Sequence, residues 1–157
     1  MYTTMDNDVL NVADYRSYQG GYFRVLVNSS ETGGAFSLLE MTLPKGVEPP
    51  PHIHTNEDET FFLLEGKIKF FIGGNETTAS AGDAVFAPRT IKHHFAIQTD
   101  AAKFLSLITP GGLQDYFMEF SEPARNLELT PPAGPPPADI IEIMTKRISS
   151  RYGVQFI

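Results

Sequence analysis

At 157 residues, with a net charge of −7 and no cysteine, the chain has the size of a domain that buries roughly 68–70% of its unfolded surface without disulfides. The missing thiols exclude cysteine nucleophiles, thiolate zinc sites and iron–sulfur clusters. The acidic balance, with no basic cluster longer than Lys146 and Arg147, speaks against nucleic acid as a partner, and no run approaches the roughly 20 apolar residues of a membrane span. The opening MYTTMDNDVL has neither the positive stretch nor the apolar run of a secretory signal, so a cytoplasmic protein is expected.

From Gly21 to Ile108 short apolar runs alternate with turn residues, the rhythm of an all-β chain. Residues 22–28 read as a strand, 29–34 as a turn and 35–43 as the next strand. Residues 59–64 and 67–72 are two more, separated by Glu65 and Gly66. Gly73, Gly74 and Asn75 offer the positive-φ backbone of a tight hairpin. Gly82 and Asp83 turn the chain into a strand at 84–87, and 93–98 and 103–109 complete the set. Six to ten short antiparallel strands predict a jelly-roll β-barrel. Beyond it, residues 113–120 read as two helical turns. Residues 130–137 hold five prolines in eight positions and predict a stiff, extended connector. Residues 139–152 predict a helix, with Ile140, Ile141, Met144 and Ile148 near one face and Gly153 as its stop. The expected organisation is one domain over 1–157, with a barrel core of about 20–110 and a tail of 111–157 carrying the proline-rich segment and a short C-terminal helix. Phe62, Leu64 and Phe71 have the parity opposite to the inward residues. They predict a sheet with apolar residues outside and, from it, a homodimer.

The four histidines fall into two pairs, His52 with His54 and His93 with His94. On an extended backbone, residues two apart share a face, so His52 and His54 can take adjacent positions on one metal. Pro49, Pro50 and Pro51 hold the approach extended. Glu59 follows after the polar residues 55–58. A turn there starts a strand on which Glu59 shares parity with Phe61 and Leu63, facing inward, where a carboxylate needs a partner or a metal. His93 begins a strand with Phe95 and Ile97 at the same parity. Three imidazoles and one carboxylate suit a divalent transition metal such as Fe, Mn, Co, Ni, Cu or Zn, and an octahedral ion so held keeps two positions open.

At these residues the sequence resembles the cupin superfamily. Gly46, His52, His54, Glu59 and Gly66 fit every position of its first motif, and Gly82, Pro88 and His93 fit its second. Thr90 replaces the second motif's other glycine and Ile97 its asparagine. A β-branched residue resists positive φ, so the loop after Pro88 is expected to depart from the family's. The resemblance implies His52, His54, Glu59 and His93 as metal ligands and His94 as a non-ligand on the other face. The stretch HIHTNEDETFFLLEGKIKFFIG and the tail PGGLQDYFMEFSEPA are most similar to small cupins related to flavonol dioxygenases (quercetinases). That closer resemblance implies a metal-dependent dioxygenase of a small aromatic or enol substrate, with Glu59 both ligating metal and accepting the substrate's proton. Phe61, Phe70 and Phe95 are the expected pocket lining, by parity. Two other functions fit the same residues: a non-enzymatic cupin binding a small molecule through its metal, and a metal-dependent isomerase or lyase with Glu57 or Asp58 as base.

Overall fold

The computed structural model describes residues 10–157. The N-terminal stretch read above as lacking a secretory signal lies, except for Leu10, outside them. In chain order the elements are β1 (Arg16–Tyr18), β2 (Gly21–Val27), β3 (Ser37–Pro44), β4 (His52–His54), β5 (Asp58–Glu65), β6 (Lys67–Ile72), β7 (Asn75–Ser80), β8 (Ala84–Ala87), β9 (His93–Ile97), β10 (Ala101–Thr109), α1 (Gln114–Glu119), β11 (Glu122–Pro123), α2 (Ala138–Tyr152) and β12 (Val154–Phe156).

The strands form a seven-stranded sheet, β11-β1-β2-β3-β10-β5-β8, and a five-stranded sheet, β12-β4-β9-β6-β7. From β3 onward the chain passes repeatedly between the two sheets, and the pairings are antiparallel. This is the jelly roll expected from the strand rhythm. Alternation along each strand sends one set of side chains between the sheets. Phe23, Leu39, Phe104 and Ile108 from one sheet meet Ile68, Phe70 and Ile97 from the other, all fully buried. Each such burial stabilises the fold by about 1.5–3 kcal/mol.

Among the described residues there are twelve strands, against the six to ten expected. β1, β11 and β12 have two or three residues each, too short to show a period in the sequence. β7, with sequence NETTAS, buries only Ala79; it is a strand because β6 pairs with it from Lys67↔Ser80 to Ile72↔Asn75. In the hairpin between them only Gly73 takes a positive φ, 59°; Gly74 and Asn75 do not need one. The helix α2 starts and stops nearly where the spacing predicts, with Gly153 left-handed at its C-terminus. Its apolar face is used only in part. Ile148 is buried and Met144 half-buried, whereas Ile140 and Ile141 on the first turns of α2 are each 42% exposed.

The outward residues divide differently from the expectation. Phe62 and Leu64 lie on the seven-stranded sheet, but Phe71 lies on β6 in the five-stranded one, so the three form no common patch. Phe71 is covered by the His94 ring, stacked at 4.4 Å, and by the Lys69 ammonium. Phe62 pairs in register with Ala84 on β8, and Phe86, diagonal to it on the same strand, is 56% exposed.

Candidate metal centre

Two facing sheets bring the four residues together. β4 directs His52 and His54 inward, both buried, with half-buried Ile53 between them pointing away. After β4 the chain reverses and crosses to the other sheet as β5. There Glu59, Phe61 and Leu63 are buried and Phe62 is exposed, the alternation that their shared parity requires. His93 opens β9 opposite His52. The loop that delivers it corrects the expectation for Thr90. This threonine adopts a φ of 68°, and its N–H donates to the His54 carbonyl at 2.7 Å. The surrounding hydrogen bonds impose the turn on a β-branched residue, and His93 reaches the site.

Donor atoms of His52, His54, Glu59 and His93 all lie within 4.8 Å of one another, and all four side chains are buried. Glu59 Oε2 is 3.1 Å from His93 Nε2 and 3.2 Å from His54 Nε2. Atoms bound at about 2.1 Å to one ion at right angles are about 3.0 Å apart, so this spacing fits a metal ion among the four. The rings of His52 lie 4.9 Å from His54 and 4.5 Å from His93, centre to centre. The chemistry of the donor set fits as well. It is neutral nitrogen plus one carboxylate in a desolvated place, the combination borderline divalent metals favour.

The electrostatics point the same way. Burial drives the His52 imidazole down to about 4, only partly opposed by its bond to the Pro50 carbonyl, so this ring is a neutral donor at ordinary pH. Burial also acts on His54 and Glu59, but each is overruled by the other's charge. His54 is held above the usual histidine range by Glu59 and Glu57. Glu59, despite burial, is pulled down to about 2 by His54, His93 and His52. A permanently ionised buried carboxylate calls for a cation beside it, and a metal ion can replace the histidine proton in that role.

The four residues stand at one side of a cavity of about 820 Å³, within the range of small-molecule sites. Phe61 and Phe95 line it as parity predicts, joined by Met41, Phe104 and Ser106 from the seven-stranded sheet. Phe70 does not line it. Its ring packs against Phe61 at 5.1 Å and Phe95 at 5.9 Å and supports that wall from behind. The C-terminal tail adds Pro132, Pro135, Ile141 and Phe156 to the lining. The sequence carried a signal for this role only in the stiffness of the proline run. Glu57 and Asp58 do not line the cavity. Asp58 bonds the Arg89 guanidinium and N–H on the rim, which lowers its carboxyl, and Glu57 is buried behind His54. His94 points to the opposite face, as expected.

Residues 39–108 match the family model described as Cupin domain. Over 116 residues, 69% of this chain, the sequence is 31% identical to a quercetin 2,3-dioxygenase from Aspergillus japonicus. Over 100 residues, 64% of this chain, it is 26% identical to a quercetin 2,3-dioxygenase from Bacillus subtilis (strain 168). These alignments cover 33% and 30% of those proteins, so the chain spans about a third of the length of the curated relatives it matches. The fold is similar to the structure of KdgF from Halomonas sp., with a TM-score of 0.55 at 18% identity, covering 62% of this chain and 86% of that one; this is a likeness of fold alone. Taken with the two antiparallel sheets and the buried His-His-Glu-His cluster, these matches make the chain a member of the cupin superfamily with a resemblance to quercetinases.

Proposed function

We propose that this cupin is a metal-dependent dioxygenase of a small aromatic or enol substrate, with His52, His54, Glu59 and His93 as the ligands. The observation that carries the reading is the placement of the cluster in the wall of an aromatic-lined cavity. The likeness to quercetin 2,3-dioxygenases supports it. When bound by these residues, a divalent metal would supply Lewis acidity toward an enol oxygen and reactivity toward dioxygen.

The chain's own residues do the rest. Phe61 and Phe95 offer flat apolar faces to an aromatic ring and keep water from it. Glu59 accepts the enol proton at Oε1, the oxygen not shared with the histidines. Enols and phenol-like hydroxyls are acidic enough to yield a proton to a carboxylate, whereas alcohols are not. The test is oxygen uptake with a panel of flavonols and catechol-like enols, on protein loaded separately with Fe, Mn, Co, Ni and Cu. Glu59→Gln is expected to bind substrate while turning over roughly 10²–10⁴-fold more slowly. Ligand binding without uptake in every metal form would transfer the reading to a non-enzymatic metal-dependent binding protein. We also propose a homodimer through the exposed apolar pair Phe62 and Phe86. Light scattering at the monomer mass of 17.4 kDa at micromolar concentration would remove it.

A further inference from the structure

The three imidazoles that face Glu59 are not held alike. His52 donates from Nδ1 to the Pro50 carbonyl at 2.8 Å. His93 Nδ1 stands 3.3 Å from the Ile91 carbonyl. In both cases the partner is a neutral backbone oxygen two residues earlier. A carbonyl can only accept, so the ring proton sits on Nδ1 and Nε2 is left as a free electron pair facing the centre. His54 lacks such a carbonyl. Its Nδ1 is buried and has no hydrogen-bond partner. The group that faces it is the Glu57 carboxylate, with Oε2 at 3.6 Å, and this oxygen is itself buried without a partner. His54 is 4% exposed and Glu57 6%, so water does not satisfy either atom from bulk solvent.

Glu57 has no other use in the site. It is not among the four residues whose donor atoms converge, and it does not line the cavity. It occupies the reversal between β4 and β5, three residues beyond His54. That reversal is pinned, because Thr55 donates from both its N–H and its Oγ1 to the Gly153 carbonyl, at 3.1 and 2.8 Å. The pinned turn keeps a buried carboxylate against the back of one ligand ring, a few tenths of an ångström beyond bonding distance. Two unsatisfied buried atoms of complementary kind are brought into bonding contact by a small rotation of either side chain.

Resting on the metal-centre reading above, we infer that Glu57 is a positioning residue for the metal. It accepts the Nδ1–H of His54, fixes that ring with Nε2 toward the ion, and makes His54 the most electron-rich of the three imidazoles. Carboxylate partners of this kind raise the basicity of a ligating histidine. The cluster would then hold two histidines braced by neutral carbonyls and one braced by a charge.

The experiment is competitive titration of Ni²⁺ and Cu²⁺ against a chelator, on the full chain and its Glu57→Gln and Glu57→Ala variants, with the electron paramagnetic resonance spectrum of each Cu²⁺ form. Glu57→Ala is expected to bind metal about 10–100-fold more weakly. Glu57→Gln should lose less, since its amide oxygen still accepts the bond without the charge. The Cu²⁺ spectrum should shift in both variants at unchanged stoichiometry. Melting of the metal-free protein should fall only modestly, because the one group facing the Glu57 carboxylate, His54 Nδ1 at 3.6 Å, lies beyond hydrogen-bonding distance. Wild-type-like affinity within twofold and superimposable Cu²⁺ spectra in both variants would overturn the inference, as would a loss of metal-free stability with affinity and spectrum intact. Should Glu57→Ala fail to fold, the isosteric Glu57→Gln decides. A wild-type chain that binds neither metal would overturn the metal centre itself, a separate result.

Discussion

Glu59 and the pair His52 and His54 belong to one sequence motif, yet they stand on strands of opposite character. β5, which carries Glu59, is eight residues long and lies inside the seven-stranded sheet, paired to β10 from Thr109↔Asp58 to Lys103↔Glu65 and to β8 on its other edge. β4, which carries the histidines, is three residues long and meets β9 in the single pair His52↔His93. Its other edge is held by β12, at the end of the chain, through Val154↔His54, Gln155↔Ile53 and Phe156↔His52. The carboxylate is therefore anchored by the barrel, and two of the three imidazoles are anchored by the C-terminal tail. A ligand strand with so few neighbours of its own opens at low free energy unless the tail clamps it.

The comparison breaks most completely if either histidine is removed. His52→Ala or His54→Ala is expected to abolish tight binding of the single metal ion, since each deletes one of four donors. His94→Ala, on the outer face, should leave the stoichiometry intact. Elemental analysis of the three variants checks this, and unchanged metal content in His52→Ala would remove the basis of the assignment. The next effect concerns the clamp. Deleting residues 154–157 strips β4 of its partner strand and uncovers the His52 ring, which Phe156 approaches at 6.1 Å. We expect metal affinity to fall about tenfold or more, the scale of losing a structure that orients ligands, while far-ultraviolet circular dichroism keeps its β signature. Gly153→Val probes the same joint within the full chain. A Cβ at this position would meet Thr55 Oγ1 at 2.3 Å, and the φ of +68° is already hostile to a branched side chain. If the truncated chain binds metal as tightly as the whole one, β4 is ordered by the barrel alone and the contrast with β5 fails.

The same contrast explains what could be read in the sequence. β5 was legible because Glu59, Phe61 and Leu63 alternate as buried positions along Asp58–Glu65, and one buried face fixes such a strand wherever its partners lie. The His-x-His pair was legible because two-residue spacing on extended backbone leaves only one arrangement. β12 was not legible. Val154–Phe156 has three residues after a glycine stop, and its strand state comes from hydrogen bonds to β4, about a hundred positions away. Phe70 and Phe61 have the same inward sense on successive strands of the two facing sheets. Parity gives the direction of a side chain but not its depth, and only the packing shows that one lines the cavity and the other lies behind it. Glu57 was hidden in an acidic run that reads as a solvated turn, and nothing local marks it as the residue turned inward.

The smallest effect concerns the loop shared by the two sides, and it separates backbone strain from site geometry. Thr90 has φ 68° with an exposed side chain, so its β-branch contributes no packing and resists the left-handed backbone at a cost of about 1–2 kcal/mol. Glycine relieves that strain but adds freedom to the unfolded chain, which offsets roughly 0.5–1 kcal/mol. The balance favours Thr90→Gly by a few tenths to about 1 kcal/mol, or a rise of about 1–4 °C in Tm for a chain of this size. Metal affinity should stay within twofold. The N–H that bonds the His54 carbonyl at 2.7 Å survives the substitution, and His93 is set by the pairing of β9 with β4 and β6, not by the side chain at position 90. Calorimetry with parallel metal titration reads both quantities. A fall in Tm would show that the threonine side chain makes a stabilising contact after all. A rise in Tm accompanied by weaker metal binding would show that the strained turn holds His54 in place, and the clamp on β4 would then extend from the tail to the loop before β9.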